Sequence, residues 1–159
     1  MGSIGRRCVT VAALALVGTL AAAAGTAEAT DATYGGVAVT KITASVTRVA
    51  PGGLVTVTVT TRNTGSSAAT DMWTLGRVTH GGQVETANCG TGSDCGCDTG
   101  LPDTSCEGPA RIPPGGVLVS RFRVRAARSG KVVFRAGVIA ELIDDNPFNQ
   151  SRQLAVRIG

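Results

Sequence analysis

The stretch LVTVTVTTRN, from Leu54 to Asn63, constrains the fold more than any other, because its apolar residues recur at every second position. Side chains alternate across an extended strand, so Val55, Val57 and Val59 share one face and Thr56, Thr58 and Thr60 the other. The pattern predicts a half-buried antiparallel strand whose valine face meets the core. Similar segments follow one another along the chain: VAVTKITASVT, ATDMWTLGRV, VLVSRFRVRA, KVVFRAGVIAEL and SRQLAVRI. Between them stand APGG, NTGSS, HGGQ, PARIPPGG, ARSG and DDNP, whose glycines and prolines supply turn angles that strands lack. About seven strands at this spacing, with no convincing amphipathic helix, predict an all-β fold, an immunoglobulin-like antiparallel β-sandwich. Aromatic residues are 3% of the chain, so Val, Leu, Ile and Ala must build most of the core. Trp73, Phe122 and Phe134 are expected as core anchors rather than as a sugar-binding platform.

The first 29 residues read differently. Arg6 and Arg7 precede the apolar run VTVAALALVGTLAAAA, and Ala27 and Ala29 flank Glu28 at A-x-A spacing. The run falls short of the ~20 residues that span a bilayer and ends in small residues, as a secretory signal peptide does. Cleavage after Ala29 is expected to leave a flexible segment over residues 30–36 and one domain over 37–159. It also removes Arg6, Arg7 and Glu28 from the 15 basic and 11 acidic residues, leaving 13 against 10, a mild net charge of +3. No second run of membrane length follows, so a secreted or envelope location without a membrane span is expected. Abundant Ala, Gly, Val, Thr and Arg with few Lys fits a high-GC bacterium.

Cys8 leaves with the peptide; Cys89, Cys95, Cys97 and Cys106 remain, within ANCGTGSDCGCDTGLPDTSC. In an oxidising exterior an even set of cysteines reads as disulfides. A zinc site needs paired ligands at finger-like separations, whereas these cysteines are spaced C-x5-C-x-C-x8-C. A redox site needs C-x-x-C, and there is only CGC. The reading is a stapled loop, with three pairings open.

The order of features resembles the bacterial DUF-eleven and CARDB type repeats, which are exported immunoglobulin-like modules. APGGLVTVTVTTRNTGSSAATDMWTLGRV is similar to their opening, in which a PG turn precedes a valine-threonine strand ending in N-x-G, followed by A-T-D. IPPGGVLVSRFRVRAARSGKVVFRAGVIAELIDDNPFNQSRQLAVRI is similar to their close. The resemblance implies a spacer, adhesive or envelope unit and carries over no catalytic residue. It also implies a Cys89–Cys106 bridge, leaving Cys95 and Cys97 to close a tight ring across Gly96; the nested alternative, Cys89–Cys95 with Cys97–Cys106, avoids that strain. Such repeats commonly occur in tandem, whereas this chain has one copy.

Three further groups are candidate sites. The parity that buries Leu118, Phe122 and Val124 sends Arg121, Arg123 and Arg125 to the opposite face, with Arg128, Lys131 and Arg135 on the next turn and strand. This stripe is either a solvated outer face that discourages edge pairing or a surface for an anionic envelope polymer or another surface protein. Nucleic acid is not expected, because aromatic residues for base stacking are scarce. Glu141, Asp144, Asp145, Asn146 and Asn149 offer oxygen ligands but lack the spacing of a calcium loop, and read as an Asx-rich turn. His80 stands alone in a THGGQ turn, and without a G-x-S-x-G elbow or a fixed carboxylate pair no enzyme is expected. The expectation is therefore a non-enzymatic exported binding or structural module without cofactor or metal. The alternative is a small secreted carrier of the apo-chromoprotein kind, with its ligand in a cleft beside the cysteine loop.

Overall fold

A computed structural model describes residues 36–90, 95–99, 103–140 and 151–159. The signal-peptide reading and the Asx-rich turn lie outside the described residues. Twelve strands occur among the described residues: β1 (Val37–Ala44), β2 (Arg48–Val49), β3 (Leu54–Asn63), β4 (Ala69–Thr70), β5 (Trp73–His80), β6 (Gly82–Cys89), β7 (Gly96–Asp98), β8 (Thr104–Glu107), β9 (Arg111–Ile112), β10 (Val117–Ala126), β11 (Gly130–Ile139) and β12 (Arg152–Ile158). A smaller sheet has the order β1-β3-β10-β6, a larger one β2-β12-β11-β5-β8-β7, and β4 pairs with β9 alone. This is the expected immunoglobulin-like β-sandwich. The eight-residue β6, GQVETANC, falls outside the segments read as strands, because its few apolar residues do not alternate; the other additional strands are short pieces, such as the two-residue β2, β4 and β9, too brief to carry a readable period.

The valine face sits in the core as its parity requires. Val55, Val57 and Val59 are fully buried, as are Phe122 and Val124 of β10, and they meet Val132, Phe134, Ala136, Leu154 and Val156 of the larger sheet; Leu118, also fully buried, packs in a second cluster with Val37, Ala69, Met72 and Ile112. Phe122 and Phe134 touch across the interface. Trp73 corrects the expectation made of it. Thr74 and Gly76 take the inward positions of β5, so Trp73 is only partly buried and lies outside both core clusters.

Two of the turns between strands of different sheets show the backbone that such a crossing needs. β5 belongs to the larger sheet and β6 to the smaller, and between them Gly81 adopts φ 72°. A side chain there would collide with the Lys131 carbonyl, so the crossing needs glycine for its dihedral and for its space. Asp71, at φ 47°, makes the other sharp turn, from β4 into β5, where a short polar side chain tolerates the left-handed region, and it delivers fully buried Met72 to the core.

At the end of β3 the strand turns polar without leaving the interior. Asn63 is buried and its amide is used completely: Nδ2 donates to the Ser67 carbonyl at 2.8 Å and the Ile112 carbonyl at 2.9 Å, while Oδ1 accepts from the Gly65 amide at 2.9 Å. The N-x-G signature is thus a side chain tying together the loop after β3 and strand β9.

Candidate functional site

The outer face of the smaller sheet is built from two adjacent strands. β3 and β10 pair antiparallel with Arg121 opposite Thr58 and Arg123 opposite Thr56, so the exposed guanidinium groups and the threonine hydroxyls form parallel rows. The parity that gives the core its valines and Phe122 gives this face its arginines. On the far side of β10, β6 places Asn88 opposite Arg121 and Thr86 opposite Arg123.

Arg121 and Arg123 form no ion pair with any described residue. Arg125 is different: it pairs with Glu85 across the β6 bulge and donates to the Gly52 carbonyl at 2.9 Å. The hydrogen bond that Arg125 donates to Glu85, followed by the charge of Glu85, raises the Arg125 pKa above the ordinary arginine value. Arg125 is therefore a fixed element of the face, while Arg121 and Arg123 are available to a ligand. Gly90, just after β6, lies close to the Arg121 guanidinium, so that an added Cβ would meet it.

Arg135 does not join this face. β11 belongs to the larger sheet, on the other side of the sandwich, and Arg135 bonds the Ser151 hydroxyl there, with Nη2 to Oγ at 2.7 Å. Sequence adjacency of two strands placed it in the stripe; the crossing between sheets removes it. Arg62 and Lys41 take its place. Arg62 continues the outward parity of Thr56, Thr58 and Thr60 and is exposed, and Lys41 pairs with Thr60 from β1. The Arg62 parity was readable in the sequence, whereas Lys41 needed the β1–β3 register, which shifts between Val39 and Lys41. Glu85 is the one carboxylate in the four strands of this sheet.

The cysteine loop packs against the sandwich's interior. Cys97 and Cys106 are direct cross-strand partners in β7 and β8, with Cα atoms 4.1 Å apart, and they are bridged. Cys89, at the end of β6, is bridged to Cys95, with Cα atoms 6.1 Å apart. The pairing implied by the family resemblance, Cys89 with Cys106, does not form, because the β7–β8 ladder sets Cys97 against Cys106. Cys106 is fully buried, Cys89 and Cys97 pack against the main core, and their sulfurs lie 3.8 Å apart.

Among the described residues no three His, Cys, Asp or Glu side chains come together as metal ligands would, and no helix is long and apolar enough to cross a membrane. Two concavities on the described surface lie away from the cysteine loop. One, of about 280 Å³, is bordered by Gln83, Arg125 and Ala127. The other, of about 600 Å³, opens at the end of the larger sheet beside Arg48, His80, Lys131 and Arg157.

A two-sheet immunoglobulin-like domain with a cationic, threonine-lined sheet face is the class that the fold and this surface define. No family model and no curated protein matches the sequence. Solved structures share the fold. The C-terminal domain of the Streptococcus pyogenes antigen I/II-family protein AspA aligns at a TM-score of 0.50 and 10% identity, over 67% of this chain and 40% of that one. The CARDB domain of a Pyrococcus furiosus protein, solved with di-metal ions, aligns at 0.48 and 15%, over 82% of this chain and 95% of that one. AvmM, which catalyses macrocyclization in alchivemycin A biosynthesis, aligns at 0.46 and 12%, over 74% of this chain and 88% of that one. At these identities the likeness is one of fold alone. CARDB domains, the modules that the sequence resembles, are among the similar structures.

Proposed function

We propose that this protein is a non-enzymatic, exported adhesion-type module that holds an anionic polymer of the bacterial cell envelope on the outer face of its smaller sheet. The observation that carries the reading is the pair of unpartnered arginines, Arg121 and Arg123, beside a threonine row. The sheet's lone carboxylate is already engaged by Arg125. Alternate residues of a strand stand ~6.8 Å apart, so the row presents guanidinium groups at a regular interval, suited to a chain of repeated phosphates or carboxylates rather than to one anion. Threonine hydroxyls between the charges supply donors for the polymer's ester and sugar oxygens. Two disulfides in a small domain support an oxidising location.

Pull-down of the purified, oxidised protein on isolated envelopes of a high-GC Gram-positive bacterium tests the reading. Binding should weaken as salt rises and should fall in the Arg121→Ser/Arg123→Ser variant. Equal retention of the variant and the parent on envelopes would remove the arginine face from consideration.

A further inference from the structure

Three cations and an imidazole at the end of the larger sheet come from four distant parts of the sequence, and the ladder brings them together. β2 runs parallel to β12 with Arg48 opposite Arg157, and β11 runs antiparallel to β12 with Lys131 opposite Arg157. Three like charges therefore stand in one row across three neighbouring strands. His80 ends β5, the next strand, and the Gly81 turn packed on the Lys131 carbonyl holds it beside the row.

Like charges placed directly opposite each other on a sheet are destabilising, and a carboxylate at any of the three positions would relieve the repulsion. None does so. Every described side-chain carboxylate lies between Asp71 and Glu107, and the ion pairs Arg77–Asp103 and Arg125–Glu85 are elsewhere. The row borders the concavity of about 600 Å³, whose wall Gly130, Ile158 and Gly159 complete.

The spacing differs from that of the β10 arginines. Neighbouring strands are ~4.8 Å apart, against ~6.8 Å between alternate residues of one strand, so these cations converge on a small volume. Two guanidinium groups, an ammonium and an imidazole closing on one hollow match a compact ligand that carries several negative oxygens. We propose that this concavity is a second binding site, for a compact polyanion of the phosphate-monoester or pyrophosphate class. It is independent of the reading of the smaller sheet.

The test is a calorimetric titration of the oxidised protein with inorganic pyrophosphate at low ionic strength, joined to amide chemical-shift mapping. Binding tighter than about 1 mM is expected, with at least a tenfold loss in Arg48→Gln/Arg157→Gln and less than about a twofold change in Arg121→Ser/Arg123→Ser. Shifts should centre on His80, Lys131 and Arg157; this mapping on the parent protein keeps the test decisive even if the double variant fails to fold. A parallel titration with phenyl phosphate separates the sources of such an anion: tighter binding of the monoester points to a phosphate at a chain end, tighter binding of pyrophosphate to a free ligand. No binding tighter than about 1 mM by either anion, shifts centred on β10, or equal losses in the two double variants would overturn the proposal.

Discussion

Phe122 of β10 and Phe134 of β11 meet across the sandwich with ring centroids 5.1 Å apart and planes tilted by 49°, and both rings rest against the backbone of Gly76. A Cβ at Gly76 would stand 2.7 Å from a ring carbon of each phenylalanine. Both rings are buried and have no space to retreat into. Gly76→Ala is therefore expected to destabilise the domain by about 1–3 kcal/mol, read as a lower midpoint in chemical denaturation. Gly96→Ala, where an added Cβ meets nothing within 4 Å, is the matched control and should be nearly silent.

Ser120 presents the opposite case. It is fully buried on β10 and its hydroxyl has no hydrogen-bond partner. Removing a desolvated, unsatisfied group relieves a cost that the folded state carries alone. Ser120→Ala should raise stability by about 1 kcal/mol, with an unchanged denaturant slope.

Asn63 has every polar atom of its amide engaged, so its truncation is expected to act in the other direction. Asn63→Ala leaves the Ser67 and Ile112 carbonyls without their partner, while the Gly65 amide keeps its second bond, to the Gly36 carbonyl at 2.8 Å. Buried groups left unsatisfied cost about 1–3 kcal/mol each where water cannot reach them, so a loss of at least about 2 kcal/mol is expected in equilibrium unfolding.

The bridges give a covalent prediction. Tandem mass spectrometry of the partially reduced, alkylated protein should find Cys89 joined to Cys95 and Cys97 joined to Cys106. Replacing Cys97 and Cys106 together by serine should cost about 3 kcal/mol from loop entropy, and more because Cys106 is a core residue. Loss of the Cys89–Cys95 bridge should cost less, since Cys89 and Cys95 remain partly exposed.

Glu85 offers a gain-of-binding test of the sheet face. Its pair with Arg125 is solvent-exposed, and exposed pairs contribute little to stability. Glu85→Gln should leave the thermal midpoint nearly unchanged, free Arg125 for a ligand and strengthen salt-sensitive retention on envelopes. Unchanged or weaker retention would count against the polymer reading.

Much of the sandwich was legible because strand parity is a local property. The alternation over Leu54 to Asn63 and over Val117 to Ala126 fixes which side chains are buried whichever neighbours the strands acquire. What could not be read depends on pairings between distant segments. Arg135 shares the parity of an outward residue with Arg121, yet β10 and β11 lie in different sheets, so the two arginines face opposite ways from the molecule. Trp73 looked like an anchor by size alone, while its neighbours Thr74 and Gly76 hold the inward positions. The row of Arg48, Lys131 and Arg157 exists only through the ladder register, and no sequence motif announces it. The disulfide pairing followed from the short β7–β8 ladder, three residues of which form too brief a run to show a period.

Every described strand pairing is antiparallel except that of β2 with β12, where the Arg157 amide donates to the Thr47 carbonyl at 3.1 Å and the Gly159 amide to the Val49 carbonyl at 3.0 Å. The arrangement has a mechanical meaning. Tension that draws β2 back toward its N-terminal side and β12 onward toward its C-terminal side pulls two parallel strands lengthwise in opposite senses. The linking bonds are then loaded together in shear instead of being peeled one after another, so this short pairing resists a lengthwise pull applied to β2 and β12 themselves.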